Sequence, residues 1–196
     1  MAKKKSLKRD VVEWAVFIGI ITILYVTGLH TPVLGALQGL VLKTGIMQPS
    51  LDEKDYGDAS YDFSLKDAEG NVVSFQNFKG KTVFFNMWAT WCPPCIAEMP
   101  DINELYEEIK DNKNVAFVML SLDRDFEKAR NFVNKKEFTL PIYQLYTNLP
   151  ENYNSNSIPT TYVIDPQGKI VVTNKGMAKY NTKKFKKFLT GLNKDS

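Results

Sequence analysis

Residues 88–95 have the sequence WATWCPPC, and they contain the only two cysteines of the 196-residue chain. The apolar run TVFFNM at 82–87 comes directly before them and is typical of a short strand buried on both faces. After the cysteines, apolar side chains recur at the spacing of one helix face, at Ile102, Leu105, Tyr106 and Ile109. The sequence therefore predicts a buried strand that ends before the cysteines and a helix that begins at them.

Further strand and helix patterns alternate along the chain. The run at 115–121 predicts a second buried strand. Two more helices are indicated by apolar faces, one at Phe126, Ala129, Phe132 and Val133 and one at Phe185, Phe188, Leu189 and Leu192. Turn residues at 66–70 and at 165–168 each separate two short strands and predict hairpins. We therefore expect an α/β fold with a central mixed sheet flanked by helices and an N-terminal β-hairpin extension.

The composition suits a globular domain and gives no sign of a nucleic-acid partner. Hydrophobic residues make up 44% of the chain and aromatic residues 12%, which is enough for a core. Five of the 25 basic residues are concentrated at the N-terminus, at Lys3, Lys4, Lys5, Lys8 and Arg9. Beyond Glu13 the remaining 20 basic and 20 acidic residues balance, so the body of the chain has no general basic field.

An apolar segment follows the basic cluster. Residues 11–29 include one charged side chain, Glu13, and about 17–25 predominantly apolar residues cross a bilayer as a helix. Basic residues before such a helix favour a cytoplasmic N-terminus. We therefore expect a cytoplasmic segment at 1–10, a transmembrane anchor at 11–29 and the remainder on the extracytoplasmic, periplasmic side. A cleaved signal peptide and a core helix of a soluble domain remain as alternatives.

The next region connects the predicted anchor to the globular part. Residues 33–42 are apolar but too few to cross a bilayer, so they either lie along the membrane surface or extend the first helix. Residues 48–60 are polar and acidic and indicate a tether. We assign 30–57 to a membrane-proximal segment and tether, and 58–196 to a single domain of ordinary size.

The spacing of Cys92 and Cys95 suits four kinds of site. A zinc site needs four ligands, and the only histidine, His30, lies beside the predicted anchor, so no metal is expected. A structural disulfide closing so short a loop would add little stability, because the stabilisation rises with loop length. Haem attachment would need a histidine where Ile96 stands. A redox dithiol is favoured, and it requires no cofactor beyond the cysteine pair.

The predicted position of the cysteines suits thiol chemistry. Cys92 would stand at a helix N-terminus, where unpaired amides and the helix dipole favour a thiolate, the nucleophile of disulfide exchange. Pro93 and Pro94 would occupy the first turn, where a missing N–H costs little, and they leave the Cys95 amide as the remaining donor. Cys95, one turn into the helix, is placed to be the buried resolving thiol.

The segment FFNMWATWCPPCIAEMP at 84–100 resembles the active-site region of the thioredoxin superfamily, and most of all that of its membrane-tethered TlpA/ResA group. Pro100 matches the proline that bends the first helix of that family. The segment SIPTTYVID at 157–165 matches the family's cis-proline loop, which would bring Pro159 to the cysteines. The leading hairpin is also similar, and the likeness covers about 61–192.

This resemblance implies a role for several residues. Cys92 would attack and Cys95 would resolve, and the substrate groove would consist of Trp91, Pro93, Pro94, Ile158, Pro159 and Thr160. Glu98 matches a glutamate of the group and would assist proton transfer. Ordinary packing remains the alternative for Trp91, and an exposed helix position remains the alternative for Glu98.

Two positions depart from other members of the superfamily. Asn86 stands where cytoplasmic thioredoxins have a buried aspartate, and it cannot take up a proton at neutral pH. The TlpA/ResA group often has asparagine there, so this difference supports the narrower assignment. Pro93 replaces an acidic residue found between the cysteines in some ResA-like proteins, which leaves Glu98 as the nearest carboxylate.

The resemblance implies a membrane-anchored, extracytoplasmic thiol–disulfide oxidoreductase. Its expected substrates are disulfides of exported proteins, with apocytochrome c as one example, and its expected electron donor is a membrane thiol carrier. An oxidase or isomerase of the same fold and a redox-inert binding module are alternatives. A peroxidase is disfavoured because Ala89 and Phe85 occupy positions that would need threonine and proline. A copper-delivery module would need wider cysteine spacing and a distant histidine.

Overall fold

A seven-stranded mixed sheet organises the described part of the chain, residues 7–28, 30–51 and 56–192 of the computed structural model. The strands are β1 (Ser64–Lys66), β2 (Val72–Ser74), β3 (Thr82–Trp88), β4 (Val115–Ser121), β5 (Ile142–Leu145), β6 (Thr160–Ile164) and β7 (Ile170–Lys175). The helices are α1 (Leu7–Val26), α2 (His30–Lys43), α3 (Pro93–Ile109), α4 (Phe126–Lys135) and α5 (Lys183–Gly191). Short 3₁₀ turns occupy Phe75–Phe78 and Glu151–Tyr153.

The sheet has the order β2-β1-β5-β4-β3-β6-β7. The three inner strands β5, β4 and β3 run parallel, and the two hairpins add antiparallel strands at the two edges. The expected mixed sheet, its flanking helices and both hairpins are therefore confirmed. Because β3 lies between β4 and β6 and is covered on both faces, all seven of its residues are buried.

Strand β5 is the one element of the sheet that the sequence did not predict. It has four residues, and only Ile142 among them is buried. Such a short, mixed segment has too little alternation to indicate a strand. Its conformation depends on neighbours distant in sequence, since it pairs with β4 on one side and with β1 on the other.

The residues of β3 alternate between two separate cores. Phe84 and Trp88 belong to the cluster under α3, α4 and α5, whereas Val83, Phe85 and Met87 belong to the cluster on the opposite face. This alternation follows from the two-residue period of a strand. Asn86 lies between Phe84 and Trp88 in that period and therefore faces α3, the helix that carries the cysteines.

Side-chain caps set where the three helices of the domain begin. Asp125 accepts a hydrogen bond from the amide of Glu127 at the start of α4, and Thr182 accepts one from the amide of Phe185 at the start of α5. A cap of this kind satisfies an amide that has no partner inside the helix. Helix α3 is capped in the same way by the sulfur of Cys92.

The N-terminal region forms two helices where it is described. The segment expected to be an anchor, 11–29, coincides largely with α1, and Leu29 lies outside the described residues. By length and apolar content together, none of the helices in the described part of the chain qualifies to cross a membrane. The region assigned to the membrane-proximal segment and tether, 30–57, includes α2, which packs against α3, and its polar part at 48–60 includes Pro49, which is buried.

Candidate active site

The cysteine pair lies at the first turn of α3. Cys92 is the N-cap residue, and its Sγ accepts a hydrogen bond of 3.3 Å from the amide of Cys95. The two sulfurs form a disulfide, with the Cα atoms 5.3 Å apart. Cys92 keeps 4% of its surface exposed, whereas Cys95 is completely buried. An incoming sulfur can therefore reach Cys92 more readily than Cys95.

The two prolines between the cysteines limit the donors around the sulfur of Cys92. Pro93 and Pro94 take the first two helical positions and have no N–H. The next backbone N–H after that of Cys95 belongs to Ile96, and it donates to the carbonyl of Cys92 at 3.0 Å instead of to the sulfur. The Cys95 amide, which the sequence singled out, is therefore the donor that this turn directs at the sulfur.

The loop before β6 forms the opposite side of the site. The Ile158–Pro159 peptide bond is cis, and the carbonyl oxygen of Ile158 lies 3.7 Å from the Sγ of Cys92. The carbonyl of Pro159 accepts a 2.8 Å hydrogen bond from the amide of Gly176, which ties the loop to the segment after β7. The structure thus brings Ile158 and Pro159 to the cysteines, although more than 60 residues separate them in sequence.

Thr160 and Trp91 differ in how far they are available to a substrate. Thr160 is fully buried, and its hydroxyl donates to the carbonyl of Ser157 at 2.8 Å, so its side chain does not line an open groove. Trp91 is 60% exposed beside Cys92. Trp88, in contrast, is completely buried and packs against Phe132.

A carboxylate that the sequence did not single out holds the loop in front of Trp91. Asp123 accepts hydrogen bonds from the amide of Thr90 at 3.0 Å and from its hydroxyl at 2.6 Å. Ser121 donates a third hydrogen bond to Asp123 at 2.9 Å. Parallel strands β3 and β4 end at the same edge of the sheet, and the cysteines follow β3. The polar Ser-x-Asp sequence at the end of β4 could therefore have indicated a side chain close to the site.

Glu98 is completely buried, which excludes the alternative of an exposed helix position. Its Oε1 accepts a hydrogen bond from the side-chain amide of Asn86 at 2.9 Å, and its Oε2 accepts one from the backbone amide of Ala178 at 3.2 Å. Burial raises the pKa of Glu98 from its ordinary value of 4.5 to about 8, because the interior disfavours the charged form. The two hydrogen bonds oppose this shift but do not cancel it.

Three more polar side chains support the contact between Asn86 and Glu98. The Asn86 amide nitrogen also donates to the Thr161 hydroxyl at 2.8 Å, and Tyr180 donates to the same hydroxyl at 2.7 Å. Asn174 in turn donates to the Tyr180 hydroxyl at 3.2 Å. The sequence did not predict these partners, since they come together only through the pairing of β3, β6 and β7 and through the path of the segment that follows β7.

A second carboxylate of α3 fixes the segment that follows β7. Asp101 accepts hydrogen bonds from the backbone amides of Tyr180 at 2.6 Å and of Asn181 at 2.8 Å. Burial raises the pKa of Asp101 above its ordinary value.

Among the described residues, no group of three or more histidine, cysteine or acidic side chains is arranged to hold a metal ion.

The residues 56–173 match the model of the AhpC/TSA family. The chain belongs to this family. It is 34% identical to the thiol-disulfide oxidoreductase ResA of Bacillus cereus over 146 residues, which cover 74% of this chain and 83% of that protein. It is also 39% identical to the thioredoxin-like protein YneN of Bacillus subtilis, with 58% of this chain and 68% of that protein covered.

Solved structures agree with these sequence relatives. A thiol:disulfide interchange protein of the thioredoxin family from Chlorobium tepidum superposes with a TM-score of 0.60 and 26% identity, covering 71% of this chain and 99% of that one. A putative thiol-disulfide oxidoreductase from Bacteroides vulgatus gives a TM-score of 0.59 and 27% identity, with 73% and 99% covered. The expected thioredoxin-like fold is confirmed, and the chain is a thiol–disulfide oxidoreductase.

The raised pKa of Glu98 predicts a dependence of stability on pH. The folded chain keeps the Glu98 proton up to about pH 8, whereas the unfolded chain releases it near 4.5. The unfolded state therefore binds fewer protons in this interval, and the free energy of unfolding should fall as pH rises through it. We expect Glu98→Gln, which does not ionise, to lose this part of the decline.

Denaturant unfolding of the oxidised protein at several pH values between 4.5 and 8.5 would measure this dependence. The free energies of unfolding of the two proteins are expected to differ by a constant amount, because the amide group of the introduced glutamine would face the Ala178 N–H. The informative quantity is therefore the slope of the free energy of unfolding against pH. Asp101 and the other acids are common to both proteins. Parallel slopes for the wild type and Glu98→Gln would contradict the prediction.

Proposed function

We propose that this enzyme reduces disulfides of exported proteins at the outer face of a cell membrane. The observation that carries the proposal is the cysteine pair at the start of α3, where Cys92, beside the Ile158 carbonyl, keeps 4% of its surface exposed and Cys95 is completely buried. One sulfur is thus accessible to a partner, and the other is withheld until the first has reacted.

The reaction follows as two exchanges between sulfurs. The Cys92 thiolate attacks one sulfur of the substrate disulfide, a mixed disulfide forms, and the other substrate sulfur leaves as a thiolate and takes up a proton. Cys95 then loses its proton and attacks the Sγ of Cys92, which releases the second substrate thiolate. Two electrons pass to the substrate, and the Cys92–Cys95 disulfide results. A membrane thiol carrier would return it to the dithiol and become oxidised itself.

Glu98 is the proposed proton acceptor for the second exchange, in the molecules in which its carboxyl group is ionised, and their share grows as the pH approaches 8. It follows Cys95 by three residues on α3, a spacing that places two side chains on one face of a helix. Its pKa of about 8 makes the ionised Glu98 a stronger base than an ordinary glutamate, which suits it to take a proton from a thiol. Asn86 holds the carboxyl group in place through its amide nitrogen.

The proposed substrate groove is the surface around Cys92. Trp91 provides an exposed aromatic face, and Pro93 and Pro94 are partly exposed next to it. On the other side stands the loop with Ile158 and Pro159, where proline provides no N–H to compete for the sulfur. Thr160 would contribute through its backbone, because its side chain is buried.

The direction proposed is reduction. A strong oxidant owes its potential to a highly stabilised thiolate, and here Pro93 and Pro94 remove two donors from the first turn.

We expect equilibration of the full-length protein with glutathione buffers to give a reduction potential below about −200 mV, on the scale of known dithiols. A potential near about −120 mV would instead indicate an enzyme that forms disulfides. Absence of exchange would support the alternative of a redox-inert binding module.

The different exposure of the two cysteines predicts which one forms the mixed disulfide. Cys95→Ser should accumulate covalent adducts with substrate proteins, because the resolving thiol is missing. The matched variant Cys92→Ser should accumulate at least about tenfold less, since Cys95 is buried. Membranes that contain either variant would be quenched with acid and alkylated, and the adducts would be separated without reductant and identified by mass spectrometry. Equal adduct formation by the two variants would contradict the assignment.

The proposed location rests on the N-terminal sequence. The apolar residues 11–29 follow a basic cluster, and this order favours attachment to a membrane with the catalytic domain outside the cytoplasm. Exported proteins, with apocytochrome c among them, are the substrates that such a location offers. The adducts of Cys95→Ser identify which of these proteins reacts.

A peroxidase is the second candidate within the same fold. The position three residues before Cys92 is Ala89, which has no hydroxyl group, and the neighbouring Thr90 hydroxyl is engaged by Asp123. We therefore expect the reduced protein to consume hydrogen peroxide no faster than an ordinary exposed thiol. Peroxide loss and trapping of a sulfenic acid on Cys95→Ser with dimedone would measure this. Rapid labelling at Cys92 would favour the peroxidase.

A further inference from the structure

Helix α2 lies against the catalytic helix α3 through two glycines. A Cβ atom added to Gly35 would be 3.2 Å from the Cγ2 of Ile96 and 3.3 Å from the carbonyl oxygen of Pro93. One added to Gly39 would be 3.9 Å from the carbonyl oxygen of Ala97. Glycine therefore allows the two helices to approach closely, directly beside the turn that carries the cysteines.

A second attachment follows the end of α2. Leu42 is 3% exposed, and the carbonyl of Met47 accepts a 2.6 Å hydrogen bond from the amide of Lys179. Lys179 lies in the segment that Glu98 and Asp101 hold through their hydrogen bonds to its neighbours. Helix α2 is thus joined to the catalytic domain along its middle and just beyond its C-terminal end, and it is not a loose connection.

The opposite face of α2 is apolar and uncovered. We call it the outer stripe, and it consists of Val33, Leu34, Leu37, Leu40 and Val41. Each of these side chains is at least 44% exposed, and their spacing places them on one side of the helix. Apolar patches of this kind on a folded protein indicate a partner or a membrane.

The neighbouring helix indicates which of these covers the outer stripe. Helix α1 exposes apolar side chains all round, with Val12, Phe17, Ile18 and Ile20 on different sides of it, so it does not use them to cover α2. A protein groove would cover one face of α1, whereas lipid can surround it. Only three residues separate the end of α1 from the start of α2, so α2 begins close to the end of α1.

We propose that α2 lies in the surface of a lipid bilayer along its outer stripe and holds the active site against that surface. This inference rests on the membrane attachment stated in the proposed function. Gly35 contacts the turn next to Cys92, and a helix is about 10 Å wide, so the reactive sulfur would lie within a short distance of the lipid. The enzyme would then prefer disulfides that are themselves held close to the membrane.

Quenching by brominated lipids tests the position of α2. Full-length Leu37→Trp would be reconstituted in vesicles of phosphatidylcholine and phosphatidylglycerol, with or without bromine on the acyl chains. The emission added by the new tryptophan, obtained by subtracting the emission of the wild type, should be at least twofold lower in the vesicles with brominated acyl chains. The matched control Val72→Trp adds an indole at a 54% exposed position on β2, and its added emission should not change.

The outcomes separate this inference from the proposed function. Flotation with the vesicles reports attachment itself. The difference in tryptophan emission between the wild type and Trp14→Phe gives the emission of Trp14, and its quenching by bromine reports whether α1 is in lipid. The inference is overturned if the protein floats and Trp14 is quenched while the added emission of Leu37→Trp is not. That result would still support attachment to the membrane. A protein that does not float overturns both.

A glycine substitution tests whether α2 holds the active site at the surface. Gly35→Leu would force α2 away from Pro93 and Ile96, whereas the control Gly19→Leu adds a side chain on α1 with no atom within 4 Å of its Cβ. The wild type and Gly19→Leu should reduce a lipid-anchored disulfide peptide at least fivefold faster than the same peptide in solution. Gly35→Leu should lose this preference, and an unchanged preference would overturn the inference.

Discussion

The hydrogen bond from the Cys95 amide to the sulfur of Cys92 is the contact on which the rest of the site depends. It exists because β3 ends at Trp88 and α3 begins a few residues later, so the first free amide of the helix points back at its cap residue. A thiolate at this position gains from the amide and from the helix dipole. The two intervening prolines keep that gain small, which is consistent with the proposed direction of reduction.

The burial of Glu98 places a second constraint on the same helix. A carboxyl group without water is stable only when it is neutral or well hydrogen-bonded, and here the donors come from Asn86 and from Ala178. Those donors in turn require the segment after β7 to stay in place, and Asp101 fixes that segment one turn further along α3. The proton-carrying group and the fold around it are therefore mutually dependent.

The N-terminal helices extend this arrangement beyond the family domain. The family match begins at residue 56, yet α2 precedes it and packs on the turn next to the cysteines. The two glycines in α2 lower the intrinsic stability of an isolated helix, so its conformation gains from packing against α3. If α2 lies on a membrane as proposed, its direct contact with α3 would leave the catalytic domain little freedom to move away from that surface.

The sequence by itself determined the periodic elements and the chemistry of the cysteine pair. Continuous apolar runs predicted β3 and β4, and apolar helical periods predicted α3, α4 and α5, because both patterns depend on neighbours a few residues apart. The likeness to known active sites also pointed to Pro159. Only the tertiary structure decided the strand β5, the burial of Glu98, and the roles of Asp123, Thr161 and Tyr180. Each of these depends on contacts between segments distant in sequence, which local patterns do not contain, and a helix that is predicted correctly does not reveal which of its polar residues its neighbours will cover.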